Sequence, residues 1–129
     1  DYRDDFQPGA RRFDVGERSN FVLVPMAMTA LSQLLKWGVA DVQETLRALT
    51  ERVAKGARAL TLEVPPETQR AGHMVGLKRR GGYGPEVAAK LAARKVFVSV
   101  RGDSIRVSPH LYNTEEDVDR LLEELDAIV

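Results

Sequence analysis

The run SIRVS, Ser104 to Ser108, sets one arginine inside a short β-prone segment. Strand alternation turns Ile105 and Val107 to one face and Arg106 to the other. A guanidinium held by a stiff strand presents a planar fork of donors. That fork matches a carboxylate through two parallel charged hydrogen bonds, each contributing about 1.5–3 kcal/mol. The pattern alone leaves two readings. On a solvated face Arg106 is an ordinary surface cation; on a face that lines a cleft it is an acid-binding group. Arg101 stands just before the same turn and either assists or faces water.

Other chemistry-bearing residue types offer less. His73 and His110 are far apart and lack partners at metal-ligand spacing. The glycine cluster in RRGGYG lacks the spacing of a phosphate-binding loop and reads as a surface turn. No Ser–His–Asp arrangement can be argued, because each candidate is isolated. Glu115 and Glu116 fall in the first turn of a helix, where the helix dipole favours acids. There is no cysteine, which removes disulfides, thiolate metal sites, persulfide chemistry and cysteine nucleophiles.

The elements that must position Arg106 follow from periodicity and punctuation. Residues 1–20 mix charge, Pro and Gly and read as loop. FVLVPMAMTALSQLLKWG is apolar almost all round, which predicts a well-buried helix starting near Pro25 and stopping at Gly38. Asp41 with Glu44 predicts a capped second helix whose core face carries Val42, Leu46, Leu49 and Val53. Asn20 precedes the first helix and is either its cap or a ligand-binding group. Four strands are expected, in ALTLEV, GHMVGLKR, VFVSVRG and SIRVS, the last two joined by the tight RGDS turn. A helix over PEVAAKLAARK separates the two pairs of strands. Thr114 and Asp117 predict a capping box on a last helix, with Val118, Leu121, Leu122, Leu125 and Ile128 as its buried stripe. The order predicts an α+β fold: long connecting helices, then a small, mostly antiparallel sheet covered by helices on one face.

Composition fits one domain of a globular protein: 129 residues, 43% apolar and 29% charged. The 19 basic and 19 acidic residues cancel, so no global field favours nucleic acid or an anionic membrane. No run approaches the roughly 20 apolar residues of a bilayer span, and the polar start has no signal core. A cytoplasmic location fits, and the abrupt polar start without Met suggests a piece of a longer chain.

RRFDVGERSNFVLVPMAMTALSQLLKWGV together with IRVSPHLYNTEEDVDRLLEEL resembles the C-terminal part of class V aminotransferases. These are pyridoxal-phosphate enzymes of fold type I, related to cysteine desulfurases, kynureninase and isopenicillin N epimerase. The resemblance runs from about Ala10 to the end, and the RxSxxxYNTxxDxxRLL ending and GERSNF carry it independently. It implies the end of a large domain or loop over 1–20, connecting helices over 21–56 and a small C-terminal domain over 57–129. It further implies that Arg106 binds the α-carboxylate of an amino-acid substrate, with Arg101 near the same site. Gly16 and Asn20 match the segment that approaches the cofactor phosphate, with Ser19 beside them. The implied cofactor, pyridoxal 5'-phosphate, needs a Schiff-base lysine from the upstream large domain. Lys36, Lys55, Lys78, Lys90 and Lys95 lack the Ser/His–Lys context, so this chain alone is expected to be catalytically incomplete. The expected partners are that missing domain and a second copy in a homodimer. The cysteine-free RGDS turn argues against a persulfide mechanism and favours an aminotransferase, epimerase or lyase relative. The alternative is a stand-alone, non-catalytic protein-interaction module with the same fold.

Overall fold

A computed structural model describes residues 5–14 and 20–128. The chain divides into two units, Asp1–Trp37 and Gly38–Val129.

The first unit contains a 3-10 turn, Gly9–Phe13, and helix α1, Leu23–Trp37. Asn20 caps α1: its Oδ1 accepts the Leu23 N–H at 2.7 Å, and its carbonyl accepts from Val24. Pro25 sits in the first turn, where its missing N–H costs no helical bond. The expectation of a well-buried helix is corrected here, since α1 buries none of its residues. Leu31 is 60% and Leu35 75% exposed, with Met26 and Met28 at similar levels. Apolar residues on every side need a cover on every side, and within this unit the only other described element is the five-residue 3-10 turn.

In the second unit α2 spans Val39–Ala59. Gly38, at φ 84°, breaks the helical path, and α2 begins directly after it. The expected Asp41–Glu44 capping box therefore does not form; Asp41 lies inside the first turn, where its charge still suits the dipole. Leu46, Leu49 and Val53 are buried along the expected face, joined by Ala54 and Ala57. Helix α3 covers Val87–Ala93 and α4 covers Glu115–Asp126. Thr114 and Asp117 form the expected capping box at the start of α4. Gly56 lets α2 approach α4 closely, for a Cβ there would fall 2.2 Å from Leu122 Cδ1.

The sheet has three antiparallel strands: β1, Val75–Lys78; β2, Ser99–Arg101; and β3, Ser104–Val107, in the order β1-β3-β2. Its inner face presents Val75, Leu77, Ile105 and Val107 to α2, α3 and α4, and together they form the core. The α+β class with helices on one face is thus as read from the sequence. Three strands stand where four were expected. ALTLEV loses its first residue to α2, Thr61 takes a positive φ of 63°, and Pro65–Pro66 cannot donate to a ladder. What remains is a single bridge between Glu63 and Lys78. Among the described residues no helix is long and apolar enough to cross a membrane.

Candidate functional site: the outer face of the sheet

The face of the sheet opposite the core collects the polar residues of all three strands. Register places Gly76 and Ser99 on either side of Arg106, and Lys78 and Arg101 on either side of Ser104. Arg106 is thus on the central strand, whose backbone is bonded on both edges, while its immediate neighbours are two of the smallest side chains available. Arg106 is half-buried, and Ile105 and Val107 beside it are buried, which is the alternation read from SIRVS.

Charges on this face are unevenly matched. Lys78 Nζ lies 2.6 Å from Asp103 Oδ2. The hydrogen bond to Asp103 holds the Lys78 ammonium above its usual range, and the same bond holds the Asp103 carboxyl below its own. Glu63, bridged to Lys78, adds to that end of the face. Arg106 has no hydrogen-bond, ion-pair or ring partner among the described residues. Arg101 is exposed at the turn end, two positions along the strands from the Ser99–Arg106 pair, so the two arginines share a face but not a point. Lys78, Gly76 and Ser99 were not singled out in the sequence. Alternation within GHMVGLKR and VFVSVRG could have given their side of each strand, but only the pairing register puts them next to Arg106.

The loop after β3 is organised by its own polar groups. Asn113 Oδ1 accepts the His110 N–H at 2.9 Å, and Asn113 Nδ2 donates to Asp117 Oδ2 at 3.2 Å. Asp117 also accepts the Thr114 N–H, and these bonds hold its carboxyl below the usual range. His110 and Tyr112 stack with ring centroids 5.2 Å apart. Arg120 donates to the Arg94 carbonyl. Asn113, Thr114 and Asp117 therefore fasten the loop after β3 to the start of α4, while Arg106 stands on the outer sheet face.

Cavities lie elsewhere among the described residues. One of about 300 Å³ runs beside Val107, Pro109, Tyr112 and Val118, and Arg106 does not line it. Another of about 260 Å³ surrounds Arg70. The Arg70 side chain is 6% exposed and pairs with Glu51, whose carboxyl the Arg70 bond holds below its usual range. With Thr50 Oγ1 donating to the Gly72 carbonyl, this pair ties the approach to β1 onto α2.

The ion-paired lysines among the described residues do not suit the Schiff base that a pyridoxal cofactor needs. A Schiff-base lysine must shed its proton easily. Lys78 instead pairs with Asp103 and is pushed the other way, and Lys90 is exposed against Glu86. The Asn20 side-chain NH2 has no partner among the described residues, while Oδ1 caps α1. Ser19 and Gly16 lie outside the described residues. Among those residues no group of three or more His, Cys, Asp or Glu side chains could hold a metal ion.

No family model matches the chain. It is 29% identical over 119 residues to the uncharacterized aminotransferase YcbU of Bacillus subtilis (strain 168), covering 92% of this chain and 31% of that protein. The chain thus spans about a third of the length of the curated relative it matches. Among solved structures it is similar to a NifS-like protein, with a TM-score of 0.75 and 21% identity over 96% of this chain and 38% of the other. The apo cysteine desulfurase from Thermococcus onnurineus NA1 is similar to the same degree, with a TM-score of 0.75 and 20% identity over 93% of this chain and 34% of the other. The resemblance read from the sequence stands on these findings: a likeness in sequence to an aminotransferase and in fold to the NifS-like proteins.

Proposed function

We propose that this chain is the carboxylate-binding part of a pyridoxal-phosphate enzyme of the class V aminotransferase kind, a homodimer in the cytoplasm whose cofactor site is completed by a large domain outside this sequence. One observation carries the reading. Arg106 stands on the central strand, half-buried, flanked by Gly76 and Ser99, and without a counter-charge among the described residues, while Asp103 is bound to Lys78. A cation so placed has its donors free and its base immobilised, which is what recognition of an external carboxylate requires. Arg101 raises the positive potential at the turn end of the same face. Asn20, whose amide NH2 has no partner among the described residues, and Ser19 are proposed to approach the cofactor phosphate. The cofactor supplies the electron sink for chemistry at Cα; the part of this chain is to grip the carboxylate and orient Cα.

The desulfurase neighbours suggest a second chemistry, but no cysteine is present to receive sulfur. Amino-group transfer, epimerisation or elimination accords better with that composition and with the aminotransferase relative. The test joins this chain to a cofactor-binding large domain and compares Arg106 with Arg106→Ala. Amino-acid kcat/KM should fall by about two orders of magnitude, from the loss of a charged bidentate pair, while cofactor absorbance persists. An unchanged kcat/KM rejects the role. The non-catalytic alternative predicts that the joined protein holds cofactor through its large domain but turns over no amino acid, with or without Arg106.

A further inference from the structure

Gly76 has no evident reason to be glycine within this chain. It lies inside β1, where a residue without a side chain weakens the strand. Its φ is not in the positive region, which elsewhere explains Gly81 and Gly82 of the turn after β1. A Cβ built on it meets nothing within 4 Å, so no close approach of another segment excludes a larger residue. The backbone would accept valine or threonine, the residues that strands favour, and nothing stands where their Cβ would lie. Yet this position is the cross-strand neighbour of Arg106, a cation on the outer face that lacks a partner among the described residues. A side chain there would stand about 5 Å from that of Arg106 and over the approach to the guanidinium.

We infer that Gly76 is a specificity-determining residue: it leaves a clearing beside Arg106 in which the body of an α-substituted carboxylate lies across β1 while its acid group is held by Arg106. The other flank keeps a hydroxymethyl group, Ser99, on the edge strand β2, so the larger opening is on the β1 side. The ligand class follows from the two parts together, a carboxylate for the fork and a bulky neighbouring group for the gap. This inference rests on the carboxylate reading of Arg106 and extends it from the acid group to the substituent.

The experiment uses this chain and follows the Arg106 Nε–H resonance at constant ionic strength. Sodium acetate serves as the small carboxylate and sodium benzoate as the bulky one. Both should shift the resonance in the wild type, and neither should shift any side-chain Nε–H in a way that survives Arg106→Gln. In Gly76→Val the acetate response should persist, and the benzoate dissociation constant should rise about tenfold, the effect of a moderate steric conflict. Gly76→Ala should fall between, and neither variant should lower Tm. Equal benzoate binding in Gly76→Val overturns the inference and leaves Arg106 as the carboxylate site. A marked drop in Tm for Gly76→Ala also overturns it, by showing that the fold needs the glycine. Silence of the wild type toward both anions rejects the carboxylate reading, and the inference with it.

Discussion

Lys78 and Asp103 neutralise one another across the turn end of the sheet, at 2.6 Å, and Arg106 on the neighbouring strand is left without an acid among the described residues. The pair therefore tunes the outer face. Asp103→Asn frees the Lys78 ammonium and adds one positive charge near the anion site. Carboxylate binding at Arg106 should become tighter at low salt, and the gain should shrink as salt screens it. Weaker binding in this variant, measured by the Arg106 resonance, would contradict this picture.

The strand alternation of β3 predicts opposite outcomes for adjacent residues. Ile105 is fully buried, and Ile105→Ala should cost about 2–5 kcal/mol of stability. Arg106→Gln, on the other face and without a partner, should leave stability within about 0.5 kcal/mol. Chemical denaturation of the two variants checks the pair together; a large loss for Arg106→Gln would mean that the guanidinium serves the fold.

The start of α4 should be the most cap-dependent point of the fold. Thr114 accepts the Asp117 N–H and Asp117 reaches back to the Thr114 N–H. Thr114→Ala should cost about 1 kcal/mol, seen as a fall in Tm of roughly 4–8 °C for a unit of this size. Thr114→Ser should recover most of it.

Arg52 clasps α4 to α2 by bonds to both Asp119 oxygens and to Glu115. The Arg52 bond holds the Asp119 carboxyl below its usual range. A carboxyl depressed in the folded state contributes stability above its unfolded pKa and loses it as pH falls through the folded value. Arg52→Ala should therefore lower Tm at neutral pH, and the difference from wild type should close as the solution is acidified below the carboxylate range. A difference that stays constant down to strong acid would rule out this origin.

Helix α1 exposes Leu31 and Leu35 together with Met26 and Met28. Apolar surface of that extent favours association. Light scattering of the chain should report mass above the monomer, and Leu31→Glu with Leu35→Glu should reduce it. A clean monomer before substitution would refute this.

The second unit was largely legible in the sequence because its signals are local. The SIRVS alternation, the Thr114–Asp117 box and the Leu46, Leu49, Val53 stripe each depend on a few neighbouring residues. What was missed depends on partners. ALTLEV has strand composition, but the preceding helix runs through its first residue and two prolines follow. The apolar run of α1 signals a need for cover without saying whether this chain provides it. Arg106 stood out as an arginine among aliphatics, yet its surroundings of Gly76, Ser99 and Lys78 come from register, which no single segment encodes.

Because β3 turns Ile105 and Val107 inward and Arg106 outward, selection can act on the two faces separately. Drift at positions 76, 78, 99 and 101 could reshape what is recognised while the hydrophobic interior, and with it folding, stays as it is. A scaffold with that separation can diversify its ligands by single replacements on one side of a small sheet.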